Sequence, residues 1–109
     1  MDSRTAGVLD GIRSLGYPMH AGDFRKAPRG AYIVYRDEQE RGGADLKNTV
    51  TLHRLTIEFY SEEVKKDVEK RIEELLDKMA IEYIKLPVEW LEDVQRYQVL
   101  YDLKYLDKE

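Results

Sequence analysis

Two histidines (His20 and His53), serines at 3, 14 and 61, and the carboxylates of residues 62–77 are where this chain could carry acid–base, nucleophilic or metal chemistry. None is arranged for it. One histidine falls in a loop and the other in a strand, with no second ligand at a metal-binding spacing. There is no cysteine, so thiolate metal sites, disulfides and cysteine nucleophiles are excluded together. The carboxylates alternate with Lys65, Lys66, Lys70, Arg71 and Lys78; Glu62–Lys66 and Glu74–Lys78 are i,i+4 pairs of opposite sign and Glu69–Glu73 is a like-charged one. That pattern reads as a solvated helix face, whereas a catalytic acid–base pair needs desolvation. No serine sits in a nucleophile-elbow context, and Gly42-Gly43 lacks the phosphate-loop motif and the helix that follows one. The reading is a non-enzyme with no catalytic residue, metal, cofactor or small-molecule substrate.

Three features could instead serve recognition. Arg25, Lys26, Arg29 and Arg36 form a basic cluster interleaved with Phe24, Tyr32 and Tyr35, the makings of a single-stranded nucleic-acid site. Trp90, just past Pro87, is either a core or rim residue or a partner contact. The tyrosines near the C-terminus read as packing on a helix.

These residues need elements to hold them. At 109 residues, 42% apolar and 37% charged, the chain fits one domain with a modest core. No run is apolar enough for a membrane span or signal peptide, so no membrane partner is expected. The formal charge is −4: residues 1–60 carry nine Lys/Arg against eight Asp/Glu, and residues 61–109 nine against fourteen. Neither half is basic enough to make nucleic acid the main partner.

Val8, Leu9, Ile12 and Leu15 recur at helical spacing, with Ser3 or Thr5 to cap and Gly16 and Pro18 to stop; Gly7 and Gly11 weaken that helix. Residues 17–30 read as loop. "AYIVYRD" and "NTVTLHRLTIEFY" read as strands, the second changing hydrophobic parity between Leu52 and Leu55. A bulge near His53-Arg54, or burial of both faces at its start, would explain the change. Val64, Val68, Ile72, Leu75, Leu76 and Met79 form one helical stripe behind a Ser61 cap. "IEYIKL" is a short strand, and Tyr97, Val99, Tyr101, Leu103 and Tyr105 alternate along a last one. The order α-β-β-α-β-β implies a two-layer α+β fold, an antiparallel sheet of about four strands with two helices on one face.

Between the second and third elements, Arg36 to Asn48 make a thirteen-residue, mostly charged connection, longer than a hairpin needs. It is too charged to enter the core and should project from the sheet, either free at its tip or lying on another subunit.

From Ala31 to Leu106 the chain resembles the small tail-completion proteins of long-tailed phages and prophages of Gram-positive bacteria, also called tail terminator, tail-to-head joining or tail component proteins. The residues that carry this are Tyr32-Ile33-Val34-Tyr35, a loop with Ala44, Asp45 and Lys47, a strand ending Glu58-Phe59-Tyr60, and the Lys/Glu-rich helix. Ile81-Glu82-Tyr83, Glu89-Trp90 and Tyr97-Gln98-Val99-Leu100-Tyr101 complete the pattern. The first thirty residues match only in kind.

The resemblance implies a virion part, not an enzyme: a ring, commonly of six copies, that caps the head-proximal end of the tail tube. It stops polymerisation of the major tail tube protein and offers a surface to the head–tail connector protein. Such a protein resides in the virion and, during assembly, in the host cytoplasm, its free subunits either monomeric or already in rings. Arg36, Arg41, Asp45 and Lys47 would then be interface charges, Gly42 and Gly43 would let the arm bend, and Arg25, Lys26, Arg29 and Trp90 are candidate partner contacts. Two alternatives stand beside this reading: a connector stopper or minor head protein of the same module, and a small single-stranded nucleic-acid-binding domain.

Overall fold

The computed structural model describes residues 3–42 and 50–108, with side chains for 4–39 and 52–105. Its elements are α1 (Ser3–Arg13), β1 (Met19–Ala21), β2 (Tyr32–Gly42), β3 (Val50–Ser61), α2 (Lys66–Lys78), β4 (Tyr83–Lys85), β5 (Glu89–Leu91) and β6 (Arg96–Lys108). The fold is α+β, but the sheet is mixed and has six strands where about four antiparallel ones were expected. The spatial order is β1-β2-β3-β6-β4, with β5 also on β6 and β1 parallel to β2. Residues 19–21, read as loop, are that parallel strand. The order is therefore α-β-β-β-α-β-β-β.

β2, β3 and β6 form the body of the sheet in one unbroken register, from Tyr32–Tyr60–Gln98 at one end to Gly42–Val50–Lys108 at the other. No bulge interrupts β3 near His53-Arg54. The parity change accords with the other alternative, since His53 is buried on the helix-facing side in line with Leu55, Ile57 and Phe59 while Leu52, on the opposite face, is half-buried. The helix-facing side also carries Ile33, Val99, Tyr101, Leu103 and Tyr105. Against it pack Val8 and Ile12 of α1 and Val68, Ile72 and Leu76 of α2, so both helices share one face and enclose the core.

Gly7 and Gly11 do more than weaken α1. A Cβ on Gly11 would stand 2.6 Å from a methyl of Leu75, and one on Gly7 2.9 Å from the Met79 methyl, so bare backbone lets α1 lie close on α2. The anticipated caps act differently. Thr5 lies inside α1 and its hydroxyl meets that of Tyr105. Ser61 ends β3 and donates to the Glu63 carbonyl at 2.5 Å, while α2 starts at Lys66 and leaves Val64 exposed.

α2 ends in a Schellman turn: Ile81 N–H returns to Leu76 O and Ala80 N–H to Asp77 O, each at 3.0 Å. Ala80 occupies the left-handed position at φ 55°, which costs an L side chain about 1 kcal/mol. Ala80→Gly should therefore raise stability by about 0.5 kcal/mol after the entropy glycine adds to the unfolded chain, read as a higher urea midpoint at unchanged slope.

β4 and β5 form one interrupted edge along β6. Residue numbers of β4 partners sum to one less than those of β5 partners, so a single extra residue is accommodated between them, where Pro87 sits. Leu86 N–H still reaches Leu100 O at 2.9 Å.

Candidate interaction surfaces

Two buried polar clusters lie between helices and sheet. In the first, His53 Nδ1 is 3.2 Å from Asp37 Oδ1, to which it donates, and 3.4 Å from Thr5 Oγ1. The ring stacks on Tyr105 with centroids 5.1 Å apart, and the Arg4 guanidinium lies over the far tyrosine ring. Hydroxyl and carboxylate meet the same imidazole nitrogen, so the imidazole does not stand between them as a proton relay would require. With the histidine only 2% exposed, the geometry is that of a satisfied core cluster.

In the second, Lys85 Nζ lies 2.8 Å from Glu69 Oε1 and 2.8 Å from Glu73 Oε2. Tyr101 donates to Glu73 Oε2 at 2.8 Å. Burial alone would raise the Glu73 carboxyl, but the hydrogen bonds from Lys85 and Tyr101 outweigh it and hold it below its usual value. Lys85 is pushed up, first by Glu69 and then by Glu73. Burial followed by Glu73 pushes the Tyr101 hydroxyl far up. Glu69 thus corrects the expectation of a wholly solvated carboxylate run. On a helical wheel it stands beside Leu76, on the flank of the apolar stripe.

The face of the sheet away from the helices carries a smaller apolar cluster of Tyr32, Val34 and Tyr60, with Phe24 and Leu91 against it. Residues 22–30 fold over it. Arg36 ties them down through Asp23 Oδ1 at 2.5 Å and Glu58 Oε2 at 2.9 Å, and those bonds, Asp23 first, push its guanidinium still higher. Arg36 is therefore a strand residue with two acid partners, not a charge on a loop. Phe24 meets Tyr32 edge-on at 5.5 Å, Tyr32 stacks on Tyr60 at 4.7 Å, and Tyr35 packs on the main core. Those aromatic faces are occupied by the protein itself; Arg25, Lys26 and Arg29 remain exposed.

Trp90 is 42% exposed on β5, edge-on to Tyr97, and its Nε1–H donates to Glu92 at 2.8 Å. Arg96 donates to Gly30 O at 3.1 Å, which brings the β5–β6 turn and the basic segment to the same end of the sheet. The other candidates belong to the opposite end. Arg36 to Gly42, expected in a projecting loop, continue β2 and pair with Thr56 to Val50, because each charged residue finds a backbone partner that its own sequence does not announce. Arg41 and Gly42 close that strand. Gly43, Asp45 and Lys47 lie outside the described residues.

At this end, among the described residues, both sheet edges are uncovered. β1 covers β2 only to Tyr35, with Gly22 N–H on Tyr35 O, and β4 covers β6 only to Leu103. Beyond them, among the described residues, Arg36–Gly42 and Lys104–Lys108 have no outer strand partner. An open groove of about 1190 Å³ crosses the sheet face at this end, between Glu38, Arg54, Thr56, Asp102 and Lys104 on the sheet and Ala80–Ile84 beside it. Ile84 stands 67% exposed over it.

No protein-family model and no curated protein matches the chain. Among solved structures, a chain from the virion of a native gene transfer agent particle is similar, at TM-score 0.59 and 10% identity, over 95% of this chain and 93% of that one. The likeness spans both chains almost end to end, and what it establishes is a shared fold.

Proposed function

We propose that this protein is a structural component of a phage-like virion, and within it a tail-completion part that caps the head-proximal end of the tail tube as a ring and joins tail to head. The observation that carries the virion reading is the nearly end-to-end fold likeness to a chain of a gene transfer agent virion. The tail-completion role rests on the resemblance of residues 31–106 and on the uncovered strand edges, which give one subunit two different patches for a ring. No catalysis belongs to this reading, and its partners are further copies, the tube protein and the connector.

Deleting the gene from a particle-producing strain tests it by electron microscopy. Overlong tails without heads are expected for a terminator, and tails of normal length that fail to join heads for a stopper of the same module. Intact particles would overturn the virion reading. The flanking genes give an independent check: portal and capsid genes upstream and a major tail protein gene downstream are expected.

A further inference from the structure

The face of the sheet away from the helices is a step. Its β1–β2 side is raised by residues 22–30, which Phe24, the Arg36–Asp23 pair and the Arg96–Gly30 bond hold over Tyr32, Val34 and Tyr60. Its β6–β4 side, where the groove lies, is bare among the described residues: Arg54, Asp102, Lys104, Ile84 and Leu86 are all exposed. The two levels differ in charge. The raised part presents Arg25, Lys26 and Arg29, while its one acid, Asp23, is taken by Arg36. The groove is lined by four carboxylates, Glu38, Asp77, Glu82 and Asp102, against two cations, Arg54 and Lys104. Among the described residues no ion pair involves those three raised cations or any of the six charges in the groove.

We infer that two copies of this chain pair through these faces about a two-fold axis lying between them, residues 22–30 of each copy filling the bare half of the other, with Arg25, Lys26 and Arg29 set against the carboxylates of its groove. A step is self-complementary under that operation. Half a turn lays raised on bare and bare on raised, so the same contact forms twice. Charge selects the same arrangement: raised on raised would set three cations against three, whereas raised on bare brings them to a groove with two carboxylates in excess. Ala27 and Pro28, within the basic segment, bring small apolar surface to the half that carries the exposed Ile84, and covering that side chain is favourable. The contact is made by side chains on a face, so the strands at both sheet edges, β1 and β4 included, stay where they are.

The pairing goes beyond the virion reading: it concerns the free chain, and mass in solution tests it without a particle. Sedimentation of the purified protein is followed up to about 1 mM, where a Kd of that order still registers. The mass should rise with concentration and level off at twice the 12.8 kDa of one chain. Two variants then reverse one side of the contact each: Arg25→Glu with Lys26→Glu on the raised part, and Asp77→Lys with Glu82→Lys in the groove. All four residues are exposed, so circular dichroism should show the parent fold in both. Each variant alone should dimerise on the order of a hundredfold more weakly than the parent, because like charges now meet at both sites. An equal mixture should restore the dimer, since one copy of each again sets opposite charges together twice. A parent that stays at the mass of one chain, or a mass that climbs past two copies, would overturn the two-fold pair. So would reversed variants that dimerise as the parent does, or a mixture that stays monomeric.

Discussion

Lys85→Met is expected to destabilise the fold by about 2–3 kcal/mol, lowering the thermal midpoint by roughly 10 °C for a domain of this size. The cause is what the lysine leaves behind. The Glu69 side chain is 3% exposed, and among the described residues its Oε2 has no hydrogen-bond partner, so Lys85 is the neutralising group on the one oxygen that is satisfied. Removing one member of a buried ion pair costs about 3–5 kcal/mol; the Lys85 side chain is about one-third exposed, and the water that reaches it trims the figure. Glu73 keeps the Tyr101 hydroxyl and suffers less. Adding Glu69→Leu to Lys85→Met should recover most of the loss, since a leucine beside Leu76 needs no counter-charge. A single variant within 1 kcal/mol of the parent would show that Glu69 is solvated in solution.

The same bridge sets a pH window. Glu73 is depressed below its ordinary 4.5 when folded, so its contribution is present above that value and is lost as pH falls through the folded one. Lys85 is raised above 10.5, so its contribution is present below that value and is lost as pH rises through the folded one. The parent should exceed Lys85→Met in stability between about pH 4.5 and 10.5, and the two should converge on either side. Urea unfolding of both proteins across that range measures the difference directly.

The parts of this fold legible in the sequence are those with one face in water and one in the core. Val68, Ile72 and Leu76 and the alternation from Val99 to Tyr105 announced α2 and β6 because burial on one side imposes a period. Where no helix covers the sheet, that period disappears. Arg36-Asp37-Glu38-Gln39-Glu40-Arg41 is charged or polar at every position, so nothing local marks it as strand; it is strand because β3 lies beside it. The three residues of β1 are too few to show a period and depend on Ile33–Tyr35 for their partners. Glu69 was obscured by its neighbours: within a run of alternating charges, a carboxylate on the flank of the stripe looks like its solvated companions until Lys85 is known to stand over it. Of the candidate interface, the charges and Trp90 were visible as residue types, but the open edges follow from how far β1 and β4 extend, a property of pairing that no single segment contains.

Those edges make the far end of the sheet the place where a deletion should separate folding from assembly. Replacing residues 41–51 by Asn-Gly joins Glu40 to Leu52, a directly opposed pair, through the turn that two-residue hairpins favour. The helix-facing core begins at His53 and is untouched, as are both polar clusters. Two rows of backbone pairing and their connection are lost, and the shorter loop returns part of that as lower closure entropy, so stability should fall by no more than about 1 kcal/mol. Assembly should respond very differently. The excision shortens the open edge of β2, removes Arg41, Gly42, Gly43, Asp45 and Lys47 together, and leaves the end of β6 without its β3 partner. If this end joins subunits and meets the tube, the shortened chain should be a folded protein that does not restore tails of normal length to a gene-deletion strain. Normal tails from the shortened chain would remove these residues from the interface and shift attention to the opposite end, where Trp90 is exposed on β5 and the Arg96–Gly30 hydrogen bond brings in the segment of the exposed Arg25, Lys26 and Arg29.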